Sequence, residues 1–198
     1  GQNAVTGETE KLNRKEEAKT LRGDSESTAV NTNPAIHTPK EQAVVNEYQD
    51  AVDDDLANYI EIVRDNHGAK IGRYPLKPVS ERAAADIKAL TGVDVSGNRT
   101  EIEPRIIAHI LKEHGAEGTT DQSMRDINDI ARIQYVLDNY DDVVPAGSSA
   151  AYQTIKPNGK PGQAKTVAFS KAVNGTYYVV EAVPDTKAKI IFVVSGYM

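Results

Sequence analysis

Apolar side chains recur at three- and four-residue steps between residues 41 and 66: Val44, Val45, Tyr48, Val52, Leu56, Tyr59, Ile60 and Val63. That period predicts one long amphipathic helix. Thr38-Pro39-Lys40-Glu41 supplies its start, with an N-cap hydroxyl, a proline at the first position and a glutamate at the third. Gly68, in Asn66-His67-Gly68, supplies its stop, which makes His67 a helix-terminal residue facing free carbonyls. A second helix is predicted from Ser80 to about Leu90, with Ala83, Ala84, Ile87 and Leu90 on one face and Thr91-Gly92 at its end. Val93 to Asn98 reads as a turn. A third helix runs from Glu101 to His114, and a fourth from Ser123 to Tyr140, opened by a capping-box variant of Ser123 and Asp126.

After Tyr140 the rhythm changes to runs of β-branched and aromatic residues cut by glycine and proline. Strands are predicted at Ala151–Ile155, Ala164–Lys171, Thr176–Val183 and Ile190–Tyr197. Asn174-Gly175 is the strongest hairpin signal, because both positions tolerate positive φ. Pro184 to Lys187 forms the next turn. Helices first and an antiparallel meander afterwards define an α+β domain and not a βαβ repeat.

Residues 1 to 40 carry no helical or strand period and few apolar side chains. Such a segment buries too little surface to offset its ordering entropy, so a disordered tail or linker is expected. Three parts follow: the tail over 1–40, the long helix and connector over 41–72, and an α+β domain over 73–198. With no cysteine the chain has no disulfide, no thiolate nucleophile and no thiolate metal site. No apolar run is long enough to span a bilayer, so no membrane is expected as a partner. Gly1-Gln2-Asn3 shows neither an initiator methionine nor a signal pattern, and reads as the start of an excised or processed segment of cytoplasmic location.

The net charge of −6 argues against non-specific nucleic-acid binding by the whole chain. The charge is uneven, however. Residues 101–142 hold ten acidic and four basic side chains. Residues 150–198 hold six lysines against Glu181 and Asp185. The basic half either receives an anion on the sheet face or decorates solvated strand edges.

The chemistry centres on Ile106-Ile107-Ala108-His109-Ile110-Leu111-Lys112-Glu113-His114-Gly115, which carries two of the four histidines. Imidazole titrates near neutrality and is the commonest proton carrier in catalysis. Five residues apart, the two rings point about 140° from each other. His114 falls near the centre of the apolar face, where it is either a structural histidine at a helix C-terminus or a partner in catalysis. His109 falls at the edge of that face, between Arg105 and Glu113, a setting that favours a catalyst. The spacing is wrong for a helical zinc pair, which needs residues four apart and a third ligand. No metal and no cofactor is called for.

Several residues together carry a resemblance. They are Leu90-Thr91-Gly92-Val93-Asp94-Val95, then Arg105, His109 and His114-Gly115, a Ser123-led helix with Asp126-Ile127, and the strands Tyr177-Tyr178-Val179-Val180-Glu181 and Val193-Val194-Ser195-Gly196-Tyr197. From Arg73 to Met198 the chain resembles the phage-type barnase–EndoU–colicin–RelE-like nucleases, domains of polyvalent proteins of phages and mobile elements. The resemblance implies helices packed on a four-stranded antiparallel sheet whose face holds the active site. It implies metal-independent, toxin-like RNA cleavage by 2′-hydroxyl attack on the adjacent phosphate, with RNA as partner and a neutralising or host polyprotein partner beside it. Within that chemistry His109 and His114 are candidate base and acid, and Lys165 or Lys189 a candidate cation for the developing phosphorane. Ser195 and Tyr197, two apart on one strand, share a face and offer hydroxyls to phosphate. Arg105 is a further substrate contact. One of the adjacent Tyr177 and Tyr178 faces the core and one faces out, and Tyr178 is the candidate to stack a base.

A second function stands beside this one: a non-catalytic binding or structural module of a phage or mobile-element polyprotein, favoured by the acidic charge and the long helix. An ADP-ribosyltransferase is weaker, because Glu181 stands without the arginine, Ser-x-Ser and Glu-x-Glu that such a site needs on successive strands.

Overall fold

The computed structural model describes residues 37–66, 69–146 and 166–198. The expected tail up to residue 36, His67, the strand at 151–155 and Lys165 lie outside these residues. The chain divides into two compact units, Gly1–Gln42 and Ala43–Met198. In the first, the capping box forms reciprocally: the Thr38 amide donates to Glu41 Oε2 at 2.9 Å and the Glu41 amide to Thr38 Oγ1 at 3.2 Å.

Helices α1 (Pro39–Asp50) and α2 (Asp54–Asp65) replace the single helix read from the sequence. Asp53 breaks the run. Its carboxylate accepts from the Leu56 amide at 3.1 Å, and its own amide donates to the Ala131 carbonyl at 3.1 Å, so it caps a new helix. Next come β1 (Tyr74–Pro75), α3 (Glu81–Thr91) and β2 (Arg99–Ile102). α3 is the helix predicted from Ser80, with that serine capping the Ala83 amide and Gly92 left-handed at its end.

The third predicted helix starts later than expected. α4 is Pro104–His114, and Glu101-Ile102 belong to β2, a strand too short to announce itself by period. The fourth splits into α5 (Ile127–Ile130) and α6 (Ile133–Asn139). Asp126 caps α5, and the Ala131 carbonyl is taken by Asp53 instead of the next helical turn. Strands β3 (Asp142–Pro145), β4 (Val167–Val173), β5 (Thr176–Asp185) and β6 (Ile190–Tyr197) complete the domain.

The fold is α+β, but the sheet is neither four-stranded nor purely antiparallel. It has six strands in the order β1-β2-β6-β5-β4-β3, and β2 runs parallel to β6, with Thr100 beside Ile191 and Ile102 beside Val193. The hairpin at Asn174-Gly175 forms as predicted, with φ of 51° and 77°. The last strand keeps its predicted bounds. Its partners shift between Glu181 and Ala182, where Glu181 pairs with Ser195 but Ala182 pairs with Val193, so Val194 is the extra residue of a bulge. Ile106, Ile107 and Ile110 of α4 are buried against the sheet. A side chain at Gly196 would touch Ile110 and Ile133, so Gly196 faces the helices. Ser195 and Tyr197 therefore lie on the opposite side of β6. No helix among the described residues is long and apolar enough to cross a membrane.

Candidate functional site

Along β6, β2 covers only Ile190 to Val193. Beyond Val193 the place of β2 is taken by the end of α4 and the loop after it. The Met198 amide donates to Ser123 Oγ at 3.1 Å, and the His114 ring stacks on the Tyr197 ring at 5.3 Å with 29° between their planes. Ser123 is thus occupied with the last strand and does not cap a helix.

That loop is held by α4 itself. The Thr119 amide donates to the Lys112 carbonyl at 3.0 Å, and the Thr120 and Asp121 amides donate to the Glu113 carbonyl at 3.0 and 3.1 Å. The Thr119 and Thr120 hydroxyls reach the Glu113 carboxylate at 3.1 and 2.7 Å and hold its carboxyl below the usual range. The loop closes so tightly at Gly118 that a Cβ there would stand 1.9 Å from the Asp121 carbonyl oxygen, so only glycine fits. The result is a fixed Asp121. Burial alone would raise its carboxyl, but the amide and hydroxyl of Ser123 and the imidazole of His114 more than offset this and hold it below the carboxylate range.

His114 Nδ1 lies 3.0 Å from Asp121 Oδ2, an ion pair when the ring is protonated, set off the axis of a good hydrogen bond. The residue is 9% exposed. On its other side the Tyr197 hydroxyl donates to Glu181 Oε1 at 3.3 Å. Burial, with the Glu181 charge beside it, pushes that phenol up to about 12. At neutral pH it is a proton donor and not a nucleophile. Ser195 stands opposite Glu181 in the register and is 7% exposed.

Three of the residues read from the sequence, His114, Ser195 and Tyr197, therefore gather at one end of β6. Asp121 and Glu181 join them and were missed as partners. The sign of Asp121 was Asp-x-Ser, an Asx turn whose carboxylate takes the Ser123 amide at 2.9 Å, but nothing in its spacing ties it to His114.

The remaining candidates do not converge here. His109 is half-buried on α4, and among the described residues no hydrogen bond or ion pair joins it to this group. Arg105 is exposed and pairs with Glu103 at 2.9 Å. Lys189 sits in the β5–β6 turn with φ of 55°, six residues from Ser195 and so about 20 Å along the strand. It is too far to neutralise charge beside His114. Tyr178 is a correction: it is the inward tyrosine, 0% exposed, with its hydroxyl on the Asp129 carbonyl at 2.6 Å, and no base can stack on it. Tyr177, 57% exposed, is the outward one.

Two clefts occur elsewhere. One, a shallow depression, is lined largely by aliphatic groups of Val79, Ala83, Ile87 and Ile191. The other, about 450 Å³, holds Arg82, Asp86 and Tyr140, which satisfy one another: Tyr140 donates to Asp86 while Arg82 covers its ring at 3.9 Å. Neither contains a histidine, and a surface for a polymer needs no deep pocket. Among the described residues no three histidine or acidic side chains are grouped to hold a metal ion.

A histidine–carboxylate pair against a protonated phenol, at the end of a sheet in an α+β fold, is equipment for acid–base chemistry on a surface-bound substrate. A sequence model of the phage-Barnase-EndoU-ColicinE5/D-RelE like nuclease3 family matches residues 77–198. The chain belongs to that phage-associated family and carries a nuclease-like domain. The match spans α3 to β6, so every residue of the histidine cluster lies within it, while α1, α2 and β1 precede it. No curated protein and no solved structure matches the chain.

Proposed function

We propose that residues 73–198 form a metal-independent, toxin-like endoribonuclease domain, with residues before them as connector. The observation that carries this reading is the His114–Asp121–Tyr197 group. The Asp121 carboxylate, 3.0 Å from Nδ1, stabilises the imidazolium that forms when the other ring nitrogen takes the proton of an RNA 2′-hydroxyl. The 2′-oxygen attacks the adjacent phosphorus, the bond to the 5′-oxygen breaks, and a 2′,3′-cyclic phosphate forms. The 5′-oxygen leaves with a proton from the Tyr197 phenol, which is protonated at neutral pH. Ser195 contacts a phosphate oxygen. His109 and Arg105, on the same helix, are the second acid–base candidate and the cation for a longer strand; Lys165 is a further cation of the domain. RNA is the partner, with a neutralising or host polyprotein partner as the natural control of such an activity, and the setting is cytoplasmic.

The test incubates the protein with tRNA and with a single-stranded RNA in EDTA, beside His114→Gln and His109→Ala. Cyclic-phosphate ends from the parent chain, lost in His114→Gln, support the reading. Loss in His109→Ala alone would move the chemistry to His109. Intact RNA in the presence of folded protein, with and without added divalent metal, would sink it. The non-catalytic module would then take its place, a reading favoured by the carboxylates of Asp121, Glu181 and Glu113 around the cluster.

A further inference from the structure

The hairpin turn at Asn174-Gly175 fixes the two strands that leave it, and Tyr177 stands two residues beyond. Its ring is 57% exposed, whereas Tyr178 beside it is wholly buried. Three strand positions decide what surrounds that ring. Val179 pairs with Tyr197 across the β5–β6 ladder, and Tyr177 lies two residues from Val179 on the same side. Tyr177 is therefore a diagonal neighbour of Tyr197, about 7–8 Å away, on the face that turns away from the helices. Across β4 its partner is Ala172, an exposed residue whose methyl group leaves the ring uncovered.

We propose that Tyr177 is a stacking platform for an unpaired nucleobase, and that it makes the substrate single-stranded RNA with a splayed base next to the cleaved phosphate. This rests on the ribonuclease reading above. The base-to-phosphate distance within one nucleotide is of the same order as the Tyr177–Tyr197 separation, so a base on Tyr177 brings its own phosphate toward His114 and Tyr197. A paired base has both faces covered by its neighbours and cannot be received in this way. Stacking suits this place because the hairpin fixes the backbone that carries the ring, and because a π-face accepts any base irrespective of sequence. The carboxylates nearby repel phosphate, so a contact that does not depend on charge has the more to do.

The chain has no tryptophan, so Tyr177→Trp creates a single reporter at the proposed platform. The probe is a short single-stranded 2′-O-methyl RNA, which cannot be cleaved, beside the same strand annealed to its complement. Quenching of the reporter by the single strand and not by the duplex is expected. In parallel, Tyr177→Ala should raise KM for single-stranded RNA about 5- to 100-fold with little change in kcat or Tm, and Tyr177→Phe should restore it. An unquenched reporter, or equal quenching by single strand and duplex, overturns the proposal. So does an unchanged KM in Tyr177→Ala while the parent chain cleaves RNA; the ribonuclease reading then survives without the platform. Selective quenching by the single strand, in a protein that cleaves nothing, keeps the platform and refutes the chemistry.

Discussion

Tyr178 and Tyr197 sit on neighbouring strands, and each belongs to a cluster of phenols and carboxylates, but the two clusters are built to opposite ends. Around Tyr178 everything is closed. Tyr48 donates to Asp129, Arg132 pairs with the same carboxylate at 3.1 Å and covers the Tyr48 ring at 4.6 Å, and Tyr178 takes the Asp129 carbonyl. Each charge has an opposite charge beside it, and the Tyr178 ring is sealed. Around Tyr197 an imidazole replaces the arginine. Imidazole changes charge near neutral pH where guanidinium never does. The first cluster joins α1, α5, α6 and β5 into one core. The second holds a titratable group against a fixed carboxylate at the end of the sheet. The two bases are about equally buried, so what separates the clusters is the kind of base each holds.

Five experiments test this contrast. The largest effect is expected from His114→Gln, which should lower the cleavage rate about 10²- to 10⁴-fold while leaving Tm close to the parent value. An equal fall in Tm would make His114 a structural residue after all. Next, Asp129→Ala leaves the Tyr48 hydroxyl and Arg132 without their shared acceptor and should cost about 2–3 kcal/mol in denaturant unfolding, with the folded fraction keeping its rate. Gly118→Ala belongs to both regimes. The clash with the Asp121 carbonyl forces the loop to shift, at about 1–3 kcal/mol, and Asp121 moves with it, so stability and rate should fall together.

Smaller effects separate the two tyrosines. Tyr178→Phe should cost about 1 kcal/mol of stability and leave cleavage alone, whereas Tyr197→Phe should slow cleavage and barely move the midpoint of unfolding. Smallest is the alkaline limb of stability. Tyr59, Tyr135 and Tyr197 are each raised to about 12 by burial first and by a nearby carboxylate second. A folded pKa above the unfolded value near 10 gives stability that is whole below about pH 10 and drains away as pH climbs to about 12. Tyr197→Phe should flatten part of that slope, read from unfolding midpoints across the range. Asp121 works in reverse: with its folded pKa lowered, its share is present above about pH 3.8 and is lost on acidification below that value.

Much of the fold could be read from local chemistry. Ser80 and Gly92 bound α3, Asn174-Gly175 turns the hairpin, and Ile190 to Tyr197 runs as read. The failures share one cause. Asp53, Glu101-Ile102 and Ala131 sit in runs whose periods continue smoothly, and each departs from its run because a distant backbone group claims its hydrogen bond. The helix over 41–66 breaks where Asp53 meets Ala131; the helix start at Glu101 yields to a parallel ladder with β6. Long-range pairing leaves no mark in a window of ten residues. The site divides in the same way. His114, Ser195 and Tyr197 were visible as reactive types on a helix end and a strand, whereas Lys189 failed because an extended strand carries it out of reach.

Local sequence sets the residue types, the helix caps, the tight turn and the alternation that puts one of two adjacent tyrosines inside. Those are set by steric and hydrogen-bonding preferences that act within a few residues. The tertiary structure alone decided that Tyr178 is the inner one, that β2 runs beside β6, and that a seven-residue loop sets Asp121 against His114 and His114 against Tyr197. Those contacts join segments from 7 to 91 residues apart, and only the packing of the tertiary fold brings such segments within reach of one another.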